Sequence, residues 1–373
     1  MSFQLYFPSM PLLGRSQCGG GACFRLLATA LLALCPCLCH ARKYAHCGSG
    51  DCLMEAAYTA DVRALRELLA LGLEDVNARR GPRRTPLHRV GYAPANSSSA
   101  PPRNASAAAE AAALLLAAGA EAEVRDSFGW TPLMFAASTG HSEVASVLIE
   151  RGGARCDGIE KRHHRTALMF ASLNGHAATA RLLIARCGGP GNDRRTSASA
   201  SASASASGGG QRDMVNVADG HGWTALHFAV ANLRKAPPPS SSGAHHAASA
   251  RASAAGSGDH PSSPWWSIAE LLIRAGADVD AVEAGGGRSA LHYAAHAGSV
   301  AAVRALLDAG ASPSLRDAES RGAAAWAARC PDKAARSAIE VMLGAATVDE
   351  ALRRHEAWLR ESDGSGNGGR REL

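Results

Sequence analysis

The chain has 373 residues, of which 5% are aromatic and 19% charged, with 39 glycines and a formal net charge of +6. So few large rings do not fill one thick core, and the length suits many thin, repeated layers. A surplus of +6 over this length is too weak and too dispersed to argue for nucleic-acid binding, which wants a clustered basic face, so no nucleic-acid partner is expected.

Residues 1–50 form an N-terminal segment of their own. No acid precedes Asp51, and Arg15, Arg25, Arg42 and Lys43 supply four of the positive charges. The apolar run between Phe24 and Cys39 is about 14 residues, short for a membrane span and matched to a signal-peptide core. Cys39-His40-Ala41 offers a small-x-small cleavage site, and Met10 offers a second start. A secretory signal, an organellar transit peptide, a membrane anchor and an idle extension all fit this pattern. S-acylation at Cys35, Cys37 or Cys39 beside the apolar run would tether the chain to a membrane. Their C-x-C spacing is not that of zinc ligands, so no metal is expected. Seven of the ten cysteines precede Leu53, and Cys156, Cys187 and Cys330 remain without a visible pairing pattern. A secreted scaffold spreads disulfides through its fold. The rest of the chain therefore reads as built for a reducing, intracellular compartment, against the secretory reading of its first residues.

Residues 53–77 read as a divergent two-helix unit. A short cassette then recurs: Thr85-Pro86-Leu87-His88, Thr131-Pro132-Leu133-Met134, Thr166-Ala167-Leu168-Met169, Thr224-Ala225-Leu226-His227 and Ser289-Ala290-Leu291-His292. The second copy shows the local physics best. Thr131 is placed to cap a helix, and Pro132 sits where the first turn tolerates a missing N–H. Leu133, Ala136 and Ala137 fall on one helical face, and Gly140 can end the helix in the left-handed conformation. Ser142 can cap a second helix carrying Val144, Val147 and Leu148, which Gly152 ends. Biased segments rich in Pro, Ser, Ala and Gly, near 93–106, 190–212 and 235–263, lack the apolar content to offset ordering and read as disordered insertions. Two of them fall between the paired helices of a unit and one falls after a second helix. Of Trp265 and Trp266, one ring is expected to pack and the other to be exposed. A degenerate unit runs from Asp317 through Trp326 to Leu343. Residues 347–373 read as a C-terminal helix, with Leu352, Trp358 and Leu359 as its apolar residues, followed by a disordered tail.

The repeated unit resembles the ankyrin repeat, whose T-P-L-H-x-A helix start and helix–turn–helix plan it matches over residues 51–346. The resemblance implies an all-α solenoid of about six or seven stacked units, with atypical end units facing water. The family period is about 33 residues, and only the interval from Thr131 to Thr166 comes close, because the insertions stretch the others. The resemblance also implies a monomeric, non-catalytic scaffold or adaptor that binds protein partners through hairpin tips and the inner helix face.

No reaction signature competes with that reading. The chain lacks G-x-x-x-x-G-K-[ST], G-x-S-x-G and H-E-x-x-H, and Gly285-Gly286-Gly287 is a turn with no Lys-Ser/Thr after it. No catalytic residue and no cofactor is expected. His88, His227 and His292 share one position and read as structural. The residue before each cassette is Arg84, Trp130, Arg165, Trp223 or Arg288, and stacking would set these in a ladder along one edge. Arginine and tryptophan are the types most enriched in binding hot spots. The candidate partner-binding set is Phe128, Trp130, His163, Arg165, His221, Trp223 and Arg288. The competing expectation is that the ladder covers the next unit through cation–π contacts. Two other functional readings remain: a substrate-recruiting subunit for a ligase or acyltransferase held in another chain, and a membrane-tethered module.

Overall fold

A computed structural model describes residues 52–72, 75–92, 105–187, 212–234 and 263–364, without the side chains of 212, 213, 349–352 and 354–364. Residues 1–50, with Cys35, Cys37 and Cys39, lie outside the described residues. So do most of the three insertions, residues 365–373 and the side chains of Leu352, Trp358 and Leu359.

The described helices are α1 Cys52–Thr59, α2 Val62–Leu71, α3 Pro86–Tyr92, α4 Ala105–Ala117, α5 Pro132–Thr139, α6 Ser142–Glu150, α7 Ala167–Asn174, α8 Ala177–Cys187, α9 Arg212–Asn216, α10 Ala225–Ala231, α11 Pro264–Arg274, α12 Ala290–Ala297, α13 Val300–Asp308, α14 Ala323–Ala327 and α15 Lys333–Gly364. Except for the short α9, they pair into helix–turn–helix units. The inner helices α1, α3, α5, α7, α10, α12 and α14 pack each on the next, and so do the outer helices α2, α4, α6, α8, α11, α13 and α15. Helix α7 packs on α10 and α8 on α11, so the long segment between them leaves the stack unbroken.

The cassette builds each inner helix. Thr131 and Thr166 accept a hydrogen bond from the N–H three residues on, at 3.4 Å, as capping residues do. The third cassette position, Leu87, Leu133, Leu168, Leu226 or Leu291, is buried in every unit. Leu65, Leu115, Leu148, Leu183, Leu272 and Leu306 face them from the outer helices. Each such leucine contributes roughly 1.5–3 kcal/mol by leaving water. Gly140 ends α5 at φ 82, a conformation that side-chain-bearing residues rarely adopt.

Several local expectations need correction. Ser142 is not a cap: α6 begins at Ser142 itself, and His141 holds the cap position without a side-chain capping bond to the first turn. Helix α6 ends at Glu150, with Arg151 right-handed and the positive φ at Gly153 rather than Gly152. Ala105 and Ser106, read as insertion, open α4. The second helix of the last unit and the C-terminal helix are one 32-residue element, α15, with no break at residue 346. The chain there is rich in strong helix formers and has no proline to stop it. Cys156 and Cys187 are not unpaired. They form a disulfide whose Cα atoms lie 6.0 Å apart, joining the turn after α6 to the end of α8. Closing 31 residues in this way contributes about 3–4 kcal/mol in the chain-entropy account. Trp265 is buried and donates to the Leu173 carbonyl at 3.3 Å, while Trp266 is half-buried against the core.

Candidate functional site: the hairpin edge

Between units the chain makes a tight hairpin, closed by a backbone bond just before each cassette. In four hairpins the bond spans five residues: Arg80 N–H to Arg84 O, Asp126 to Trp130, Asp219 to Trp223 and Asp317 to Arg321. In two it spans six: Glu160 to Arg165 and Glu283 to Arg288. Successive tips are sewn together. Ser127 N–H donates to Pro82 O at 2.8 Å, Lys161 to Phe128 at 3.0 Å, Gly220 to His163 at 2.7 Å, Ala284 to His221 at 2.8 Å and Ala318 to Gly286 at 2.8 Å. Glycine permits this closeness. At Gly129, φ 83, a Cβ would stand 2.7 Å from Lys161 Cγ, and at Gly222 2.7 Å from Ala284 N. The result is one continuous edge along the stack.

The first hairpin opens at exposed Arg80, and each of the other five opens with a buried carboxylate: Asp126, Glu160, Asp219, Glu283 or Asp317. Asp126 accepts the N–H groups of Phe128 and Trp130 at 2.9 Å and the Arg84 guanidinium of the preceding unit at 3.3 Å. Asp219 does the same for His221, Trp223 and Arg165. Glu160 accepts from Arg162 at 2.6 Å and from His163 N–H. Glu283 accepts the Trp223 indole N–H at 3.1 Å and pairs with Arg288 at 3.6 Å. Asp317 accepts Arg321 backbone and side-chain bonds and the Trp326 indole N–H. Burial alone would raise the Asp317 carboxyl, but those hydrogen bonds outweigh it and hold the group below the ordinary carboxylate range.

The Arg/Trp ladder is an internal stack. Trp130 lies between Phe135 and Phe170, with centroids at 4.8 and 4.2 Å. Trp223 lies between Phe228 and Tyr293, both at 5.1 Å. Arg84 covers Phe135 at 4.8 Å, Arg165 covers Phe228 at 4.9 Å, and Arg288 and Arg321 cover Trp326 at 5.0 Å. Of the candidate residues, then, Trp130, Arg165, Trp223 and Arg288 have a face committed to the neighbouring unit. Phe128 and His221 point out at the tips, and His163 is half-buried with its ring 5.7 Å from that of His221. Sequence reasoning missed two columns that complete this arrangement. One is the acid five or six residues before the capping position in every unit after the Thr85 cassette. The other is the aromatic four residues after the capping position, at Phe135, Phe170, Phe228 and Tyr293, with Trp326 in the last unit.

The cassette histidines are struts. Nδ1 of His88 accepts the Thr85 N–H at 3.1 Å, which leaves the proton on Nε2, 3.1 Å from the Trp130 carbonyl that closes the next hairpin. His227 repeats this with Thr224 and Arg288 O. Burial lowers His88 to about 4, against the raising effect of its bond to Trp130, and it lowers His227 and His292 as well.

Among the described residues, no group of three or more His, Cys, Asp or Glu is placed to hold a metal ion, and no helix is long and apolar enough to cross a membrane. A family model described as ankyrin repeats, in three copies, matches residues 104–194 and 254–348. Among solved structures, the chain is similar to the ankyrin repeat domain of Bcl-3, a member of the IkappaB protein family. That match has 20% identity and a TM-score of 0.50, over 77% of this chain and 97% of that one. It is likewise similar to the human ASB11 ankyrin repeat domain, at 21% identity and a TM-score of 0.50, over 78% and 96%. No curated protein matches the chain.

Proposed function

The chain is an ankyrin repeat protein, a class whose repeats are generally protein–protein interaction modules, and we propose that it is a non-catalytic scaffold that holds a partner protein along its hairpin edge. One observation carries this reading. Phe128, at the tip of its hairpin, leaves 54% of its surface in water while the rings behind it are packed in the stack. A large apolar side chain held out by a rigid, hydrogen-bonded turn contributes little to the fold and is suited to anchor a partner. His221, exposed two tips along, extends the same line.

The working surface is thus the tips rather than the Arg/Trp ladder behind them. The ladder sets the spacing of the tips and keeps them rigid, which lowers the ordering cost of binding. The reading is tested by placing a photo-crosslinking residue at position 128 or 221 in the full chain in cells, with exposed Val341 on α15 as control. The expected result is one protein crosslinked from both tips, absent from position 341, whose retention falls about tenfold in Phe128→Asp. Equal crosslinking from all three positions, or turnover of substrate by the purified chain, would overturn it.

A further inference from the structure

The tips are not equivalent in charge. Arg79, Arg80, Arg83, Arg125, Lys161 and Arg162 are exposed on the hairpins at 79–84, 125–130 and 160–165. The carboxylates of these hairpins and the next, Asp126, Glu160 and Asp219, are buried and bonded to turn N–H groups and to Arg84 and Arg165. Exposed acids flank them at Asp75, Glu121, Glu123 and Asp157, of which Asp157 pairs with the Arg155 guanidinium, Glu123 accepts the Arg155 N–H and Asp75 accepts the Asn77 N–H, so the six exposed cations of the hairpins outnumber them. Toward solvent, this part of the edge is cationic. The hairpins at 283–288 and 317–321 differ. Arg288 and Arg321 there are half-buried and paired, with exposed Glu319 on Arg321 as well, and exposed Arg316 donates to the Ser320 carbonyl.

We propose that the tips from Arg79 to His221 take an acidic, extended segment of the partner protein, with Phe128 as its single apolar contact. This rests on the reading of the edge as a protein-docking surface and names the chemistry that surface selects. Neighbouring units lie roughly 8–10 Å apart, and an extended chain advances about 3.3 Å per residue. A segment running along the tips therefore sets every third residue over a hairpin, and Asp or Glu at that spacing meets a guanidinium or ammonium group at each of the three hairpins at 79–84, 125–130 and 160–165. Arginine forks bind carboxylates in pairs of hydrogen bonds. A nucleic-acid strand fits less well. Single strands bind by stacking bases on successive aromatic platforms, and here the aromatic column is packed inside the stack, leaving Phe128 as the one exposed Phe, Tyr or Trp on the described hairpins.

The test is fluorescence anisotropy of the full chain with a labelled peptide of about five Glu-Gly-Ser triplets, matched to the spacing above. Its Gln-Gly-Ser counterpart and an oligothymidylate of equal charge serve as comparisons. The expected result is binding of the Glu peptide at least about tenfold tighter than either comparison. The double variant Arg79→Glu, Arg162→Glu should weaken it about tenfold, and Arg316→Glu on the last hairpin less than about twofold. Raising salt from about 50 to about 300 mM should weaken binding to the unaltered chain as well, a readout that needs no variant to fold. The proposal is overturned if the Gln peptide binds as well, if Arg316→Glu matters as much as the double variant, or if the oligonucleotide binds more tightly. A partner crosslinked at position 128 alongside failure of the Glu peptide would sink the acidic specificity and leave the docking edge standing.

Discussion

The hairpin from Asp219 to Trp223 and the one from Glu283 to Arg288 do the same work with different reach. The first closes over five residues, and its aspartate turns back onto the N–H groups of His221 and Trp223. The second closes over six, with Gly285-Gly286-Gly287 inside it, and its acid is one methylene longer. Glu160, in the other six-residue hairpin, is also a glutamate, while Asp126 and Asp317 open five-residue ones. Among the five hairpins that open with an acid, acid length follows turn length. The carboxylate is therefore a fitted part of the inter-unit joint, and both lengths leave the next tip close enough to bond.

The largest break in this comparison comes from removing the short acid. Asp219→Ala strands two turn N–H groups and leaves the Arg165 guanidinium, 3.2 Å away, without its buried partner. Removing one partner of a buried pair costs about 3–5 kcal/mol. Glu283→Ala removes one indole bond and a looser ion pair at 3.6 Å, so its expected loss is smaller, about 1–3 kcal/mol. Urea midpoints of the two variants at unchanged m-value check the order. Equal losses would mean that the carboxylates fill space rather than hold the joint.

The next effect follows the struts and turns on pH. His88 and His227 brace a five-residue and a six-residue hairpin through the Trp130 and Arg288 carbonyls. Burial depresses His88 from 6.5 to about 4, so the fold holds the neutral ring. Between those two values the unfolded chain binds more protons than the folded one. The stabilisation is full above pH 6.5 and is lost as pH falls toward 4. One such shift is worth on the order of 3 kcal/mol. His88→Met, the residue that the units at Thr131 and Thr166 carry in this place, should flatten the decline between pH 6.5 and 4.5. An unchanged slope would locate the proton uptake elsewhere.

What the sequence made legible was local. The capping Thr or Ser, the buried leucine and the glycine stop act locally, and the structure keeps the leucine in all five cassettes and the glycine stop after three of them, at Gly140, Gly175 and Gly298. The acid and aromatic columns act between units, at separations such as 42 residues for Arg84 and Asp126 and 60 for Trp223 and Glu283. The insertions make those separations unequal, and alternation of Asp with Glu hides the acid column further. The Cys156–Cys187 bond, across 31 residues, was masked for the same reason: one repeat period separates two cysteines that look isolated along the chain. The split among the candidate binding residues was not legible either. Whether Trp130 or Phe128 faces water depends on which ring of the neighbouring unit, here Phe170, occupies the space behind it.

The smallest and most discriminating effect comes from exchanging the acids. In Asp219→Glu a longer arm must fit a closed five-residue turn, and overpacking of that kind costs about 1–3 kcal/mol. If acid length is matched to turn length, a glycine inserted after Gly220 should recover at least half of that loss, because the six-residue turns at Glu160 and Glu283 already accommodate glutamate. The same insertion in the unaltered chain should destabilise it, since Asp219 would no longer reach the N–H of Trp223. The reverse pair behaves likewise. Glu283→Asp draws the carboxylate away from the Trp223 indole, a loss of about 1 kcal/mol, and deletion of Gly286 should restore it. The cycle reads as a coupling energy between turn length and acid identity. A coupling near zero in both hairpins would make the five-and-six pattern a coincidence of sequence rather than a rule of the joint.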